Sequence, residues 1–169
     1  MTNLEKRLLY EKYHSSRQLQ KRVINKGNFT YRNLLGVLNE YLPKIKKVLD
    51  VGCGAGTVDF FLASLGKKVT GIDISQKAIS LAKVNAKFLG LDQNITFRVT
   101  NFPTNNLKGN FDLIICSEVL EHIENNNLAA KKILKLLVKG GFLIVSVPSK
   151  NAPLYKYGLL KKFDRDVGH

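Results

Sequence analysis

The 169-residue sequence is short of cysteine, of long apolar runs and of acid. Two cysteines cannot build a disulfide scaffold. Cys53 and Cys116 both sit in apolar stretches, which predicts reduced, packed thiols and a cytoplasmic protein. No apolar run reaches the roughly 18–20 residues that cross a bilayer, and the opening MTNLEKRLLYEKYHSSRQ lacks the apolar heart of a signal peptide. Internal repeats and low-complexity linkers are absent. What remains is an ordinary folding composition, 44% hydrophobic and 24% charged, at a length that suits one domain with a real core.

Acid is scarce overall, 13 Asp and Glu against 27 Lys and Arg, for a formal charge of +14. The imbalance is not uniform. Residues 1–47 carry a net +8, residues 48–130 a net −1 and residues 131–169 a net +7. The basic flanks surround a nearly neutral middle. They suit an anionic acceptor or surface, either RNA or a membrane touched peripherally. Lysines scattered over solvated helix faces account for the same numbers.

Periodicity divides the chain. Leu4, Leu8 and Leu9, then Leu34, Leu35, Leu38 and Leu42, recur at helical spacing, with a loop at 26–30 and a stop at Pro43. From residue 46 short apolar runs alternate with helices. Strands are predicted at 47–51, 68–73, 95–99, 111–116 and 142–147. The intervening helices are 57–65, one capped by Ser75 and reaching Leu89, and a long one at 118–138 that Asn125, Asn126 and Asn127 interrupt. In that last helix Ile133, Leu134, Leu136 and Leu137 form a buried face, Lys131, Lys132, Lys135 and Lys139 a wet one, and Gly140-Gly141 the cap. Strands that read as continuous apolar runs between helices predict an α/β fold, a Rossmann-like doubly wound parallel sheet of order 3-2-1-4-5. Ligands of such a sheet bind at the carboxyl ends of its strands.

The first strand runs into Asp50-Val51-Gly52-Cys53-Gly54-Ala55-Gly56-Thr57. Glycines at every second position allow a tight turn and close approach to a ligand. A dinucleotide loop needs its third glycine three residues after the second, where this chain has Thr57. Asp50 would repel a pyrophosphate but suits a cofactor with an amino group and a sulfonium. Asp73, at the end of the second strand, can accept two hydrogen bonds from a ribose diol, and Ile74 beside it can pack on adenine.

Four segments in order, VLDVGCGAGT at 48–57, GIDIS at 71–75, FDLIICSEVLEHI at 111–123 and LLVKGGFLIVSVP at 136–148, resemble the motifs of class I S-adenosylmethionine-dependent methyltransferases. Within that class the chain is similar to the ubiquinone-biosynthesis O-methyltransferase group. The resemblance implies that Asp50, Gly52, Cys53, Gly54 and Gly56 cradle the methionine part of the cofactor. It implies that Asp73 holds the ribose and Ile74 lies beside the adenine. Asn101 stands where the family usually has an Asp that accepts from the adenine amino group; its side-chain oxygen can accept the same bond. Phe102 would lie next to the ring, and Ser117 near the sulfonium and substrate.

Glu118, Glu121 and His122 fall at i, i+3 and i+4 of the predicted helix after the fourth strand, on one face. The EVLEH segment is similar to one that supplies metal ligands in ubiquinone-biosynthesis O-methyltransferases and small-RNA 2′-O-methyltransferases. Two readings stand: these residues hold a divalent cation such as Mg, which lowers the acceptor hydroxyl's pKa, or Glu118 and Glu121 favour a helix start while His122 acts as base or as a structural hydrogen-bonding group. Tyr10, Tyr13, His14 and Tyr31 are candidates for a substrate lid.

The resulting domain plan is a helical substrate cap at 1–45, a cofactor-binding core at 46–148 and the start of a lid at 149–169. The class I sheet usually continues with a sixth and a seventh strand. The 22 residues after Val147 cannot hold them, so these strands are expected to be missing and the fifth strand to be an apolar edge. The expected activity is methyl transfer to a hydroxyl of a small or lipid-linked acceptor by direct displacement. RNA 2′-O-methylation and a non-catalytic cofactor-binding or scaffold role are the alternatives.

Overall fold

A computed structural model describes residues 29–104 and 106–147. Helix α1 (Phe29–Tyr41) leads through a 3-10 turn at Leu42–Lys44 into β1 (Lys47–Val51). Then come α2 (Thr57–Ser64), β2 (Lys68–Asp73), α3 (Gln76–Phe88), β3 (Ile95–Val99) and β4 (Phe111–Ser117). A 3-10 turn at Leu120–His122 precedes α4 (Asn126–Leu136) and β5 (Leu137–Ser146). The five strands form one parallel sheet in the order β3-β2-β1-β4-β5, as the alternation of apolar runs and helices predicts.

Strand alternation sends successive side chains to opposite faces, and each face is covered. Val48, Val69, Leu113 and Ile115 pack with Leu38 of α1, Phe60 and Leu62 of α2, and Ile79 and Ala82 of α3. Leu49, Val51, Ile72, Ile114 and Cys116 pack with Ala129, Ile133 and Leu136 of α4. Fully burying one such Leu or Ile contributes about 1.5–3 kcal/mol, so both faces are needed to hold the sheet. Asp112 is the polar residue in the apolar run of β4. One of its carboxylate oxygens accepts the N–H groups of Lys46 and Lys47, each at 2.8 Å, and so fixes the start of β1. The predicted Ser75 cap of α3 is made, and Asn125 caps α4. Ser75 Oγ accepts from the Ala78 N–H at 3.1 Å, and Asn125 Oδ1 from the Leu128 N–H at 2.8 Å.

Three expectations are corrected. Helix α1 already includes residues 29 and 30, which composition assigns to a loop. The segment 118–138 breaks at Asn125 as expected, but the part before the break is a loop and a 3-10 turn and not α-helix, and the helix after it ends at Leu136. Gly140-Gly141 do not cap a helix. Strand β5 begins at Leu137, directly after α4, and the pairing steps from Phe111↔Leu137 to Leu113↔Phe142, so residues 138–141 bulge opposite Asp112. Leu134 correspondingly faces solvent at 72% exposure instead of joining the buried face. Among the described residues β5 borders the sheet, with Leu143 and Val145 exposed. Tyr10, Tyr13, His14, the side chain of Tyr31 and the segments 1–28 and 148–169 lie outside the described residues.

Candidate active site

The loop between β1 and α2 lies against the end of β2. The N–H groups of Gly52 and Cys53 both donate to the Ile72 carbonyl, at 2.7 and 3.0 Å. The Gly54 N–H donates to Asp73 Oδ2 at 2.9 Å, and the Ser75 N–H to Asp73 Oδ1 at 2.8 Å. Asp73 is therefore a brace for the loop as well as the predicted ribose acceptor. Each carboxylate oxygen can accept more than one hydrogen bond, so the two roles are compatible. Gly52, Gly54 and Gly56 all have positive φ, 73°, 55° and 82°. At Gly52 a side chain is excluded twice, by this conformation and by the Val119 side chain, which occupies the space a Cβ would need. Val119 thus clamps the loop from the β4 side.

Beneath the loop lie carboxylates. Asp50 is 4% exposed and Asp59, in the first turn of α2, is 0% exposed. Asp50 pairs across the sheet with Gly71, and a Cβ on Gly71 would stand 2.7 Å from Asp59 Oδ1. The missing side chain of Gly71 is what admits Asp59 to the sheet surface. Neither Asp59 oxygen has a fixed hydrogen-bond donor. Burial, followed by the charge of Asp59, holds the Asp50 carboxyl well above the usual carboxylate range. Burial likewise pushes Asp59 up to about 7. Burial also pushes the Cys53 thiol well up and the Cys116 thiol up to about 12, so both are neutral thiols, as their apolar settings predict.

The adenine side is built less tightly. Ile74 and Asn101 are half-buried at the ends of β2 and β3. Phe102 is 8% exposed and belongs to the core face with Leu49 and Ile72, so packing takes most of its ring.

At the ends of β4 and β5 a different construction appears. Ser117 Oγ lies 2.7 Å from Ser146 Oγ, which donates to Glu118 Oε1 at 3.0 Å. The Glu118 N–H donates to the Ser146 carbonyl at 2.9 Å. Glu118 has φ 56°, a left-handed conformation that is uncommon for a residue with a side chain. That turn ends β4 and prevents a helix from starting at Glu118. His122 Nε2 and Glu121 Oε1 lie 4.0 Å apart on the 3-10 turn. The helical face assumed for Glu118, Glu121 and His122 is therefore not formed. Among the described residues no three His, Cys, Asp or Glu side chains converge as a metal-binding set.

A family model described as a methyltransferase domain matches residues 43–166. The chain belongs to the methyltransferase domain family. It is 36% identical, over 117 residues, to a ubiquinone biosynthesis O-methyltransferase of Coxiella burnetii, covering 69% of this chain and 50% of the relative. A solved S-adenosylmethionine-dependent methyltransferase of Methanosarcina mazei matches with a TM-score of 0.60 at 28% identity, over 77% of this chain and 66% of that one. The PH0226 protein of Pyrococcus horikoshii shares the fold, with a TM-score of 0.66 at 24% identity over 93% of this chain and 68% of that one. The chain spans about half the length of the curated relatives it matches.

In this methyltransferase domain the donor set suits the family's cofactor. The carboxyls of Asp50 and Asp73 are acceptors of the kind an amino group and a ribose diol would use, and the Asn101 side chain is an acceptor of the kind an adenine amino group would use. Three residues escaped the sequence reading: Asp59, Val119 and Ser146. A signal existed for Asp59. Helix α2, TVDFFLAS, buries residues on every side, and a helix apolar all round leaves an acid no route to water. Nothing local marks Val119 or Ser146, because their roles arise from contacts with distant segments.

Proposed function

We propose that this domain binds S-adenosylmethionine at the carboxyl ends of β1 and β2 and transfers its methyl group to an oxygen of a small acceptor. One observation carries the reading: a glycine loop stitched to Asp73 above the buried Asp50, a carboxylate setting for a cationic ligand, in a chain similar to O-methyltransferases. Asp50 and the loop hold the methionine part. Asp73 receives the ribose, and Ile74 and Asn101 receive the adenine. The bound cofactor supplies an electrophilic methyl group.

Catalysis then rests mainly on positioning the acceptor oxygen in line with the methyl. His122 Nε2 takes the acceptor's hydroxyl proton, and the Glu121 carboxylate beside it favours the resulting imidazolium. Glu118, tied to Ser146, fixes the turn that brings these residues to the end of β4, and Ser117 lines the approach.

The test is transfer of labelled methyl from S-adenosylmethionine to a panel of small phenols, a lipid-linked phenol and a short RNA. Label on a small phenol supports the reading. Label on RNA alone moves the acceptor to a 2′-hydroxyl. Cofactor binding without transfer to any acceptor supports the non-catalytic alternative.

A further inference from the structure

The least comfortable group in the described structure is Asp59. Its carboxyl is wholly buried, neither oxygen has a fixed donor, and no part of the proposed transfer uses it. An isolated buried carboxylate is costly. Two neighbouring buried carboxyls relieve that cost by sharing one proton, since like charges at short range cannot both ionise. Asp50 is the neighbour. Both groups are drawn together over Gly71, where a side chain would collide with Asp59 Oδ1 and the Phe97 ring. Charge effects on each of the two are exerted by the other's carboxyl or by Asp73.

Each packed element contributes a known group. Strand β1 supplies Asp50, the loop supplies the neutral thiol of Cys53, and β2 supplies Asp73. Strand β4 supplies the neutral thiol of Cys116, and β3 supplies the Phe97 ring. Asp73 is held as an acceptor by the N–H groups of Gly54 and Ser75. A proton held at the site would therefore reside on the Asp50–Asp59 pair.

We propose that Asp59 is a positioning residue that couples cofactor binding to proton release. The empty site keeps one proton between Asp50 and Asp59, and a cationic cofactor settling above Asp50 displaces it. One O–H bond of the pair breaks and the proton passes to solvent. The incoming positive charge replaces it as the partner of the second carboxylate. This rests on the proposed cofactor site and adds to it a preference for charge. S-adenosylmethionine, with a sulfonium, displaces more of the proton than its demethylated thioether product. Discrimination between the two therefore widens as the pH rises, because the ligand that releases more protons gains more affinity per pH unit.

The test is calorimetric titration of the full 169-residue chain with S-adenosylmethionine and with the thioether product, in buffers of different ionisation enthalpy between about pH 5.5 and 8. The same titrations are run on Asp59→Asn, whose amide can donate to Asp50 without carrying a proton that ionises. The difference between the proteins cancels the titration of the cofactor's own amino group. The wild type is expected to release up to about one proton per cofactor more than Asp59→Asn, and its affinity to climb up to about tenfold per pH unit below the pair's titration. The variant's profile is expected to be flatter by that amount. Equal proton release by the two proteins, or a wild-type affinity that does not move with pH, overturns the coupling while leaving the cofactor site standing. Absence of cofactor binding by the wild type at every pH overturns the cofactor reading itself. Should Asp59→Asn not fold, the wild-type counts for the two ligands decide, since both carry the same amino group: greater proton release with S-adenosylmethionine than with the thioether product supports the coupling, and equal release overturns it.

Discussion

The two halves of the strand-end crevice are built by different means. At β1 and β2, main-chain N–H groups hold the loop: Gly52 and Cys53 on Ile72, Gly54 and Ser75 on Asp73. At β4 and β5, one main-chain bond, from the Glu118 N–H to the Ser146 carbonyl, is joined by side-chain hydroxyls and a carboxylate, through Ser117, Ser146 and Glu118, with Glu118 itself exposed. Main-chain bonds between secondary-structure ends have little freedom to rearrange. Long polar side chains at a surface re-pair with water at small cost. One half is thus made to hold a fixed ligand, and the other to present groups to a partner that arrives and leaves. In the proposed reaction these are the cofactor and the acceptor.

Substitutions in the two halves should therefore separate chemistry from binding. The largest effect is expected from His122→Ala, a fall in kcat of about 10²–10⁴ with cofactor affinity nearly unchanged. Equal losses in kcat and in affinity would erase the distinction between the halves. Next comes Asp73→Ala, which removes the acceptor of two main-chain donors. A hydrogen bond to a charged group contributes about 1.5–3 kcal/mol, so loss of one such bond to the ribose should lower cofactor affinity about 10- to 150-fold. Retained affinity in an equilibrium titration would show that the loop does not depend on its brace.

Ligand-free stability carries the next two expectations. Asp59 has a folded-state carboxyl raised to about 7 by burial, against an ordinary value near 4. The folded chain thus binds this proton more tightly than the unfolded one. That contribution is fully present below about pH 4 and is lost as pH rises through about 7. Asp59→Asn should therefore gain on the wild type with rising pH, by about 1–4 kcal/mol in total, in denaturant melts at about pH 5 and pH 8. A stability difference that is constant with pH would mean that Asp59 stays ionised in the folded chain. Gly52→Ala should lower stability by about 1–3 kcal/mol, from the positive φ and the encounter with Val119. The smallest effect is expected from Ser146→Ala, no more than about 1 kcal/mol, with a modest loss of turnover as Glu118 is released. A loss of cofactor affinity in that variant would tie the two halves more closely than their bonding suggests.

Most of the cofactor half was readable from the sequence. Its strands are covered on both faces and so appear as plain apolar runs, and its glycines alternate in a way that a tight turn demands. Asp50 and Asp73 sit at fixed distances from that loop along the chain. The acceptor half was read less well for a physical reason. The spacing of Glu118, Glu121 and His122 is consistent with a helix, but one residue in a left-handed conformation breaks the register, and only the pairing of Glu118 with Ser146 fixes it there. Likewise Gly140-Gly141 fits a helix cap and a strand bulge equally, and the choice follows from the pairing of β5 with β4. Asp59 does not stand out by position, because an acid in a first helical turn is usually a solvated partner of the helix dipole. Here the helix has no solvated side at that point.

Everything proposed for this domain depends on the crevice at the ends of β1 and β2 holding the cofactor. The most direct measurement is a crystal structure of the chain grown with S-adenosylmethionine. The expected result is density along the loop at residues 52–56, with the ribose on Asp73 and the amino end toward Asp50. Density at the opposite end of the sheet, in the groove lined by Lys47, Lys68, Gln93 and Asn94, with the loop unoccupied, would contradict it.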